Sequence, residues 1–186
     1  MPPEFTIDAQ RGELRPARQV ASPNCDDRPP GMQPEILVLH GISLPPGEFG
    51  GSEIEALFCN QLDWDAHPYF AQIRGMEVSA HVLIRRDAEV IQFVPFHRRA
   101  WHCGQSRYRH RTRCNDFSIG IELEGEDETP YTDRQYACLV KVLAAIKAAY
   151  PAIGNRELVA HSDIAPGRKT DPGPAFDWLR LYDGLA

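Results

Sequence analysis

Glu35-Ile36-Leu37-Val38-Leu39-His40 is the stretch on which the fold of this chain turns. An apolar run of strand length, with β-branched Ile36 and Val38, is bounded by Pro34 on one side. On the other it meets the breaker Gly41 to Gly51, which contains Pro45-Pro46-Gly47. Such a run suits a strand buried on both faces rather than a helix. It ends on a histidine, and strand ends are where α/β sheets collect ligand residues.

Outward from this strand the pattern alternates between strand and helix. Ser52 to Phe58 reads as a short helix with Ser52 as N-cap. Val78 to Ile84 and Glu89 to Val94 flank the turn Arg86-Asp87-Ala88 and predict an antiparallel hairpin, and Phe117 to Glu124 alternates like a further strand. Thr132-Asp133-Arg134-Gln135 has the capping-box pattern. It opens a helix to about Tyr150 whose Tyr136, Leu139, Val140, Leu143 and Ile146 share one face. Leu158-Val159-Ala160 predicts a short strand delivering His161, and Asp177-Trp178-Leu179-Arg180 starts a closing helix. The fold class expected is α/β, a single domain with a mixed central β-sheet packed with helices. Residues 1–34, broken by Pro16, Pro23, Pro29, Pro30 and Pro34, read as an extended N-terminal arm on a domain spanning residues 35–186.

Composition narrows the partners. A chain of 186 residues with 42% hydrophobic and 25% charged residues is large enough for one ordinary core without staples. Its net charge of −6 argues against nucleic acid and against an anionic membrane surface. No run approaches the roughly 20 apolar residues of a membrane span. The start, Met1-Pro2-Pro3-Glu4-Phe5, has neither a basic nor an apolar leader segment, so a cytoplasmic protein is expected. Five cysteines at irregular spacing then read as reduced thiols.

The chemistry concentrates in Ala160-His161-Ser162-Asp163-Ile164-Ala165-Pro166-Gly167-Arg168-Lys169-Thr170-Asp171-Pro172-Gly173-Pro174. Proline and glycine make this a loop, so its histidine, lysine and aspartate point to a site rather than a core. With His40, His161 and Asp171 form an N,N,O donor set suited to one catalytic zinc ion with a position left open. Glu122 is the candidate general base, because a carboxylate in an apolar strand is costly without a task. Glu124 shares its face by the period of two and competes for the role. Lys169 is placed to stabilise developing negative charge.

These residues lie in longer blocks: Leu39-His40-Gly41-Ile42-Ser43-Leu44-Pro45-Pro46-Gly47, Ser79-Ala80-His81, Arg99-Ala100-Trp101-His102, Cys114 to Gly125, and the loop above. In that order, over roughly residues 12–182, they resemble the 1,6-anhydro-N-acetylmuramyl-L-alanine amidases of bacterial cell-wall recycling. The resemblance implies the fold shared by N-acetylmuramoyl-L-alanine amidases and peptidoglycan-recognition proteins. It also implies cleavage of the lactyl amide of small cytosolic muropeptides, with an indirect effect on β-lactamase induction, by a monomer. It assigns zinc to His40, His161 and Asp171, chooses Glu122 over Glu124, makes Lys169 catalytic, and adds Trp101, Arg113 and Tyr69 as substrate-binding residues. Two positions depart from the family pattern: Gly41, where asparagine is usual, and Cys103, where a small residue is common.

Five other readings compete. His102, Cys103, His110 and Cys114 offer the atoms of a second, structural metal site, although the spacing lacks a Cys-x₂₋₄-Cys pair. Cys103 beside His102 could act as a nucleophile. The run Arg98, Arg99, Arg107, Arg109, Arg111 and Arg113, with Trp101 and Tyr108 interleaved, suggests nucleic acid, although net acidity opposes this and peptide carboxylates are equally good anions for arginine. Loss of catalysis would leave a peptidoglycan-binding module, and export would redirect an amidase to the intact wall. Residues 67–78 read as a candidate lid.

Overall fold

A computed structural model describes residues 5–186. Its frame is a six-stranded sheet built from β1 (Arg18–Gln19), β2 (Ile36–Ile42), β3 (Val82–Ile84), β4 (Val90–Gln92), β5 (Ser118–Glu124) and β6 (Leu158–Ala160). The order is β6-β2-β5-β3-β4-β1. β2 is parallel to both β6 and β5, β5 is parallel to β3, and the β3–β4 hairpin makes the sheet mixed. The expected architecture is therefore the observed one.

Every residue of β5 is buried, as are Ile36 to His40 of β2. Strands flanked on both edges and covered on both faces favour continuous apolar runs; β2 has one in Ile36 to Leu39, whereas β5 alternates Ile119, Ile121 and Leu123 with Gly120, Glu122 and Glu124. Alternation then divides the work of the two faces. Leu37, Leu39, Ile119, Ile121 and Leu123 pack under the long helix Asp133–Ala149. Ile36, Val38 and Phe117 meet Cys103, Cys114 and Ile164 in a separate cluster. A third cluster joins Leu83 and Ile91 to Ile54, Leu57, Phe58 and Phe70 of the short helices Glu53–Phe58 and Pro68–Gln72.

The capping box at Thr132 forms as expected, with Gln135 N–H donating to Thr132 Oγ1 at 3.2 Å and Thr132 N–H to Gln135 Oε1 at 3.0 Å. Gln135 also donates to the carbonyls of Ile84 and Glu124, which fixes the helix start to two strand ends. Ser52 holds the N-cap position of its helix but makes no side-chain bond there. Its backbone is helical, with φ −93° and ψ −3°, whereas a capping side chain is aimed by an extended backbone.

The prolines before residue 35 do prevent long regular structure, yet this stretch is stitched into the domain. Thr6–Asp8 pairs with Glu13–Arg15, β1 extends the sheet edge beside β4, and Cys25–Asp27 pairs with Arg98–Ala100. Residues 1–4 of the expected arm lie outside the described residues. Leu14 is fully buried in the main core. Arg28 donates to the carbonyls of Phe96, Asn115, Asp116 and Ser118 at 2.8–3.1 Å, and burial brings its pKa down to about 10. Among the described residues no helix is long and apolar enough to cross a membrane.

If the arm is part of the core, Leu14→Ala will cost about 2–5 kcal/mol in urea unfolding, as for any deeply buried leucine. A loss close to that of a surface substitution would show the arm to be an independent layer.

Candidate active site

The parallel register of β2 and β5 sets Glu122 directly beside His40. Both side chains leave the same face of the sheet, and Glu122 Oε1 lies 3.9 Å from His40 Nδ1. β6 runs parallel on the other side of β2 and ends at Ala160, so His161 emerges next to His40 in the first turn of the short helix His161–Ile164. That residue was expected on a loop. The turn is closed by Asp163, whose Oδ2 accepts the Ala160 N–H at 2.8 Å.

The chain then returns Asp171 to the same point. His40 Nδ1, His161 Nδ1 and Asp171 Oδ2 stand 2.9, 3.1 and 3.2 Å from one another. Three donors converging this closely exceed what hydrogen bonding between two imidazoles and a carboxylate can satisfy, and they fit a cation shared by all three. Burial lowers the His40 pKa to about 4, against the opposing pull of Asp171, which leaves the neutral imidazole that metal binding requires. Burial by itself would raise the Asp171 pKa, but hydrogen bonds from His161 and His40 outweigh it and hold the carboxylate well below its usual range.

The ligand loop is held from behind. Tyr131 donates its hydroxyl to the Pro172 carbonyl at 2.9 Å, and Ser162 N–H donates to the Asp171 carbonyl at 3.1 Å. The Tyr131 ring occupies a slot made by two glycines: a Cβ at Gly41 or at Gly125 would overlap it. Gly41 thus leaves room for the residue that steadies Asp171.

Glu122 is 8% exposed and its Oε2 has no hydrogen-bond partner. Burial raises its pKa well above the glutamate range, the Asp171 charge adds to this, and Lys169 acts in the opposite direction. A buried carboxylate with one free oxygen is poised to take a proton from something that enters the site. Glu124 is committed elsewhere. It accepts from Gly50 N–H, Arg85 and Arg86 N–H at 2.6–3.2 Å, so of the two glutamates only Glu122 keeps an unpartnered oxygen. Neither faces solvent.

All of these groups open onto one cleft of about 540 Å³, lined by His40, Glu122, His161, Asp171, exposed Lys169 and Tyr69. Tyr69 belongs to the short helix within the expected lid. Trp101 and Arg113 are not among the residues lining this cleft. Trp101 is half-buried with its backbone N–H donating to Ser79 Oγ, and the Arg113 side chain is 69% exposed and pairs with Asp116 at 3.1 Å.

The second metal site does not assemble. His110 is exposed, and among the described residues the metal-capable groupings are His40–His161–Asp171 and His40–His102–Cys103, the latter sharing His40 through its other nitrogen. Burial pushes the Cys103 thiol well up, so it is no nucleophile. The arginine run is largely neutralised within the protein. Arg98 pairs with Asp27, Arg99 with Asp26 and Asp116, Arg109 with Glu157 and Arg111 with Glu35.

The chain is similar to known proteins in both sequence and structure. Residues 30–174 match the family described as N-acetylmuramoyl-L-alanine amidase. The chain is 60% identical over 173 residues to the 1,6-anhydro-N-acetylmuramyl-L-alanine amidase AmpD of Enterobacter cloacae, covering 93% of this chain and 92% of that protein. A crystal structure of a selenomethionine AmpD derivative superposes with a TM-score of 0.93 at 56% identity, covering 97% and 99% of the two chains. The amidase AmiD from E. coli, solved with the substrate anhydro-N-acetylmuramic acid-L-Ala-D-γ-Glu-L-Lys, gives 0.59 at 29% identity, covering 97% of this chain and 65% of that one.

Glu122 also links stability to pH. Without metal, the folded state holds the Glu122 proton more tightly than the unfolded state does. Its stabilising contribution is therefore full in acid and is lost as pH rises through the raised pKa. Glu122→Gln removes this loss, so the metal-free variant should gain stability over the parent as pH rises from about 4 to about 8. Urea titrations across that range check the sign, and a pH-independent difference would contradict it.

Proposed function

The chain belongs to the N-acetylmuramoyl-L-alanine amidase family, and from that premise we propose that it is a zinc enzyme that hydrolyses the lactyl amide between anhydro-N-acetylmuramic acid and the L-alanine of a stem peptide. The substrate is a soluble wall fragment met in the cytoplasm during recycling. The observation that carries this reading is the convergence of three ligand atoms beside a buried carboxylate with a free oxygen. A module that only bound peptidoglycan would have no use for that oxygen.

His40, His161 and Asp171 hold the metal. When bound, zinc polarises the amide carbonyl and lowers the pKa of water to about 7. Glu122 Oε2 takes the proton of the attacking water and returns it to the leaving nitrogen of L-alanine as the C–N bond breaks. Burial raises Glu122's proton affinity, which suits a group that must hold the water proton until the leaving nitrogen takes it. Lys169 lies on the same cleft with its ammonium available to the negative oxygen that develops on the carbonyl. Tyr69 offers an aromatic wall for the substrate. Arg113, exposed outside the cleft, is available to a peptide carboxylate that extends beyond it.

Turnover of an anhydro-muropeptide is the direct test. Glu122→Ala should lower kcat by about 10²–10⁴-fold and Lys169→Ala by about 10²–10³-fold, each with zinc content retained. Parent-like turnover in either variant would remove that residue from the scheme. Intact cell wall offered to the parent separates recycling from wall cleavage, and faster release from intact wall would overturn the proposed substrate.

A further inference from the structure

His102 and Cys103, which the reaction does not use, touch the far sides of both ligand histidines. His40 Nε2 lies 2.8 Å from His102 Nδ1, and His161 Nε2 lies 3.3 Å from the Cys103 carbonyl. If both ligands hold the metal through Nδ1, as proposed above, each keeps its remaining proton on Nε2 and needs an acceptor there. We propose that the His102–Cys103 segment is the positioning element of the metal site: His102 Nδ1 accepts the Nε2–H of His40, and the Cys103 carbonyl accepts the Nε2–H of His161.

The neighbours of His102 accommodate this proton assignment. Ser118 Oγ, 3.0 Å from His102 Nε2, can accept its proton, which leaves Nδ1 free to accept. Two further groups face the same nitrogens, Cys103 Sγ at 3.1 Å from His102 Nδ1 and Arg168 Nη2 at 3.5 Å from His161 Nε2. The reverse tautomer would force the proton of His40 onto Nδ1, the atom that faces the other ligands. The same segment is locked in place from two directions. Asn115 Oδ1 accepts the backbone N–H groups of His102 and Cys103 at 3.2 and 2.8 Å. Arg168, beside Lys169 on the ligand loop, donates to the carbonyls of Cys103 at 2.5 Å and Gln105 at 2.7 Å.

The space for the His102 ring is specific too. A Cβ at Gly120 would stand 2.5 Å from His102 Nδ1, so the glycine inside β5 is what admits the ring beneath the site. His40 and His102 meet edge-on, with ring centroids 5.0 Å apart. In this arrangement the contribution of Cys103 is its carbonyl. Its buried thiol, 3.1 Å from His102 Nδ1, fills space.

Two measurements test the proposal. Histidine proton–nitrogen correlation spectra of the zinc-loaded parent should show His40 and His161 protonated on Nε2, and His102 protonated on Nε2 with Nδ1 bare. Chelator competition on the apoproteins should show His102→Leu binding zinc about 10–100-fold more weakly than the parent. His102→Asn, whose amide oxygen can stand near the Nδ1 position, should recover most of that loss. A simple packing role would not produce that recovery. A proton on His102 Nδ1, zinc affinity unchanged in His102→Leu, or no recovery with asparagine would each overturn the proposal. Should His102→Leu fail to fold, the spectra of the parent decide alone. If the parent apoprotein takes up no zinc, the metal assignment falls and this inference with it. Uptake by the parent with an unaffected leucine variant overturns this inference only.

Discussion

The pairing of two parallel strands, Ile36–Ile42 with Ser118–Glu124, is the constraint on which the rest of the structure depends. Register fixes which side chains stand side by side, and a shift of one residue would turn every inward group to the opposite face. In the register found, His40 and Glu122 are neighbours above the sheet, while Leu37, Leu39, Ile119 and Ile121 are neighbours below it. The apolar face has no tolerance for slippage, because the long helix covers it. The same burial that holds the fold therefore aligns His40 with Glu122, and no local feature of the site has to do so.

Among the described residues three buried side-chain atoms lack a partner, Arg28 Nε, Arg86 Nη1 and Glu122 Oε2, and only the last is an oxygen. Glu124 and Arg85, both buried, bond to each other and to backbone groups. Arg28 is buried among carbonyls that account for both of its terminal nitrogens. Glu122 lies two residues from Glu124 in the same strand yet keeps an oxygen without a partner. An unpaired buried oxygen is costly, and natural proteins keep such groups mainly where chemistry uses them. The contrast between these glutamates is set by what surrounds them, since as amino acids they are identical.

That contrast also marks the limit of what the sequence discloses. The apolar run before His40, the capping box at Thr132 and the Pro/Gly loop around Lys169 carry their structure in local pattern, and each is found where the pattern put it. The three-residue donor set was also legible, because histidines and an aspartate beside chain breaks stand out. Period two could narrow the base to Glu122 or Glu124 but could not choose, since Gly50, Arg85 and Arg86 come from distant segments. His102 was read as a second metal ligand or a partner for a nucleophile. Its contact with His40 depends on Gly120 making room on another strand, a relation invisible to spacing. The prolines of the first 34 residues foretold breaks but not partners, so the depth to which Leu14 is buried went unseen. The arginine run looked like a basic patch because its acids, Asp26, Asp27, Glu35, Asp116 and Glu157, are scattered along the chain.

Gly41 is where this chain departs from the asparagine usual in its family, and the Tyr131 slot gives that departure a cost. Any side chain at position 41 would compete with the Tyr131 ring for the same volume, and the hydroxyl that would be displaced is the one holding the Pro172 carbonyl beside Asp171. Positions 41 and 131 therefore share one volume in this chain. An asparagine grafted alone would arrive in a space already filled, and its first effect would be felt across the cleft, on the aspartate, before it touched any substrate. The size of the residue at position 41 is thus transmitted, through one hydroxyl, to the placement of Asp171.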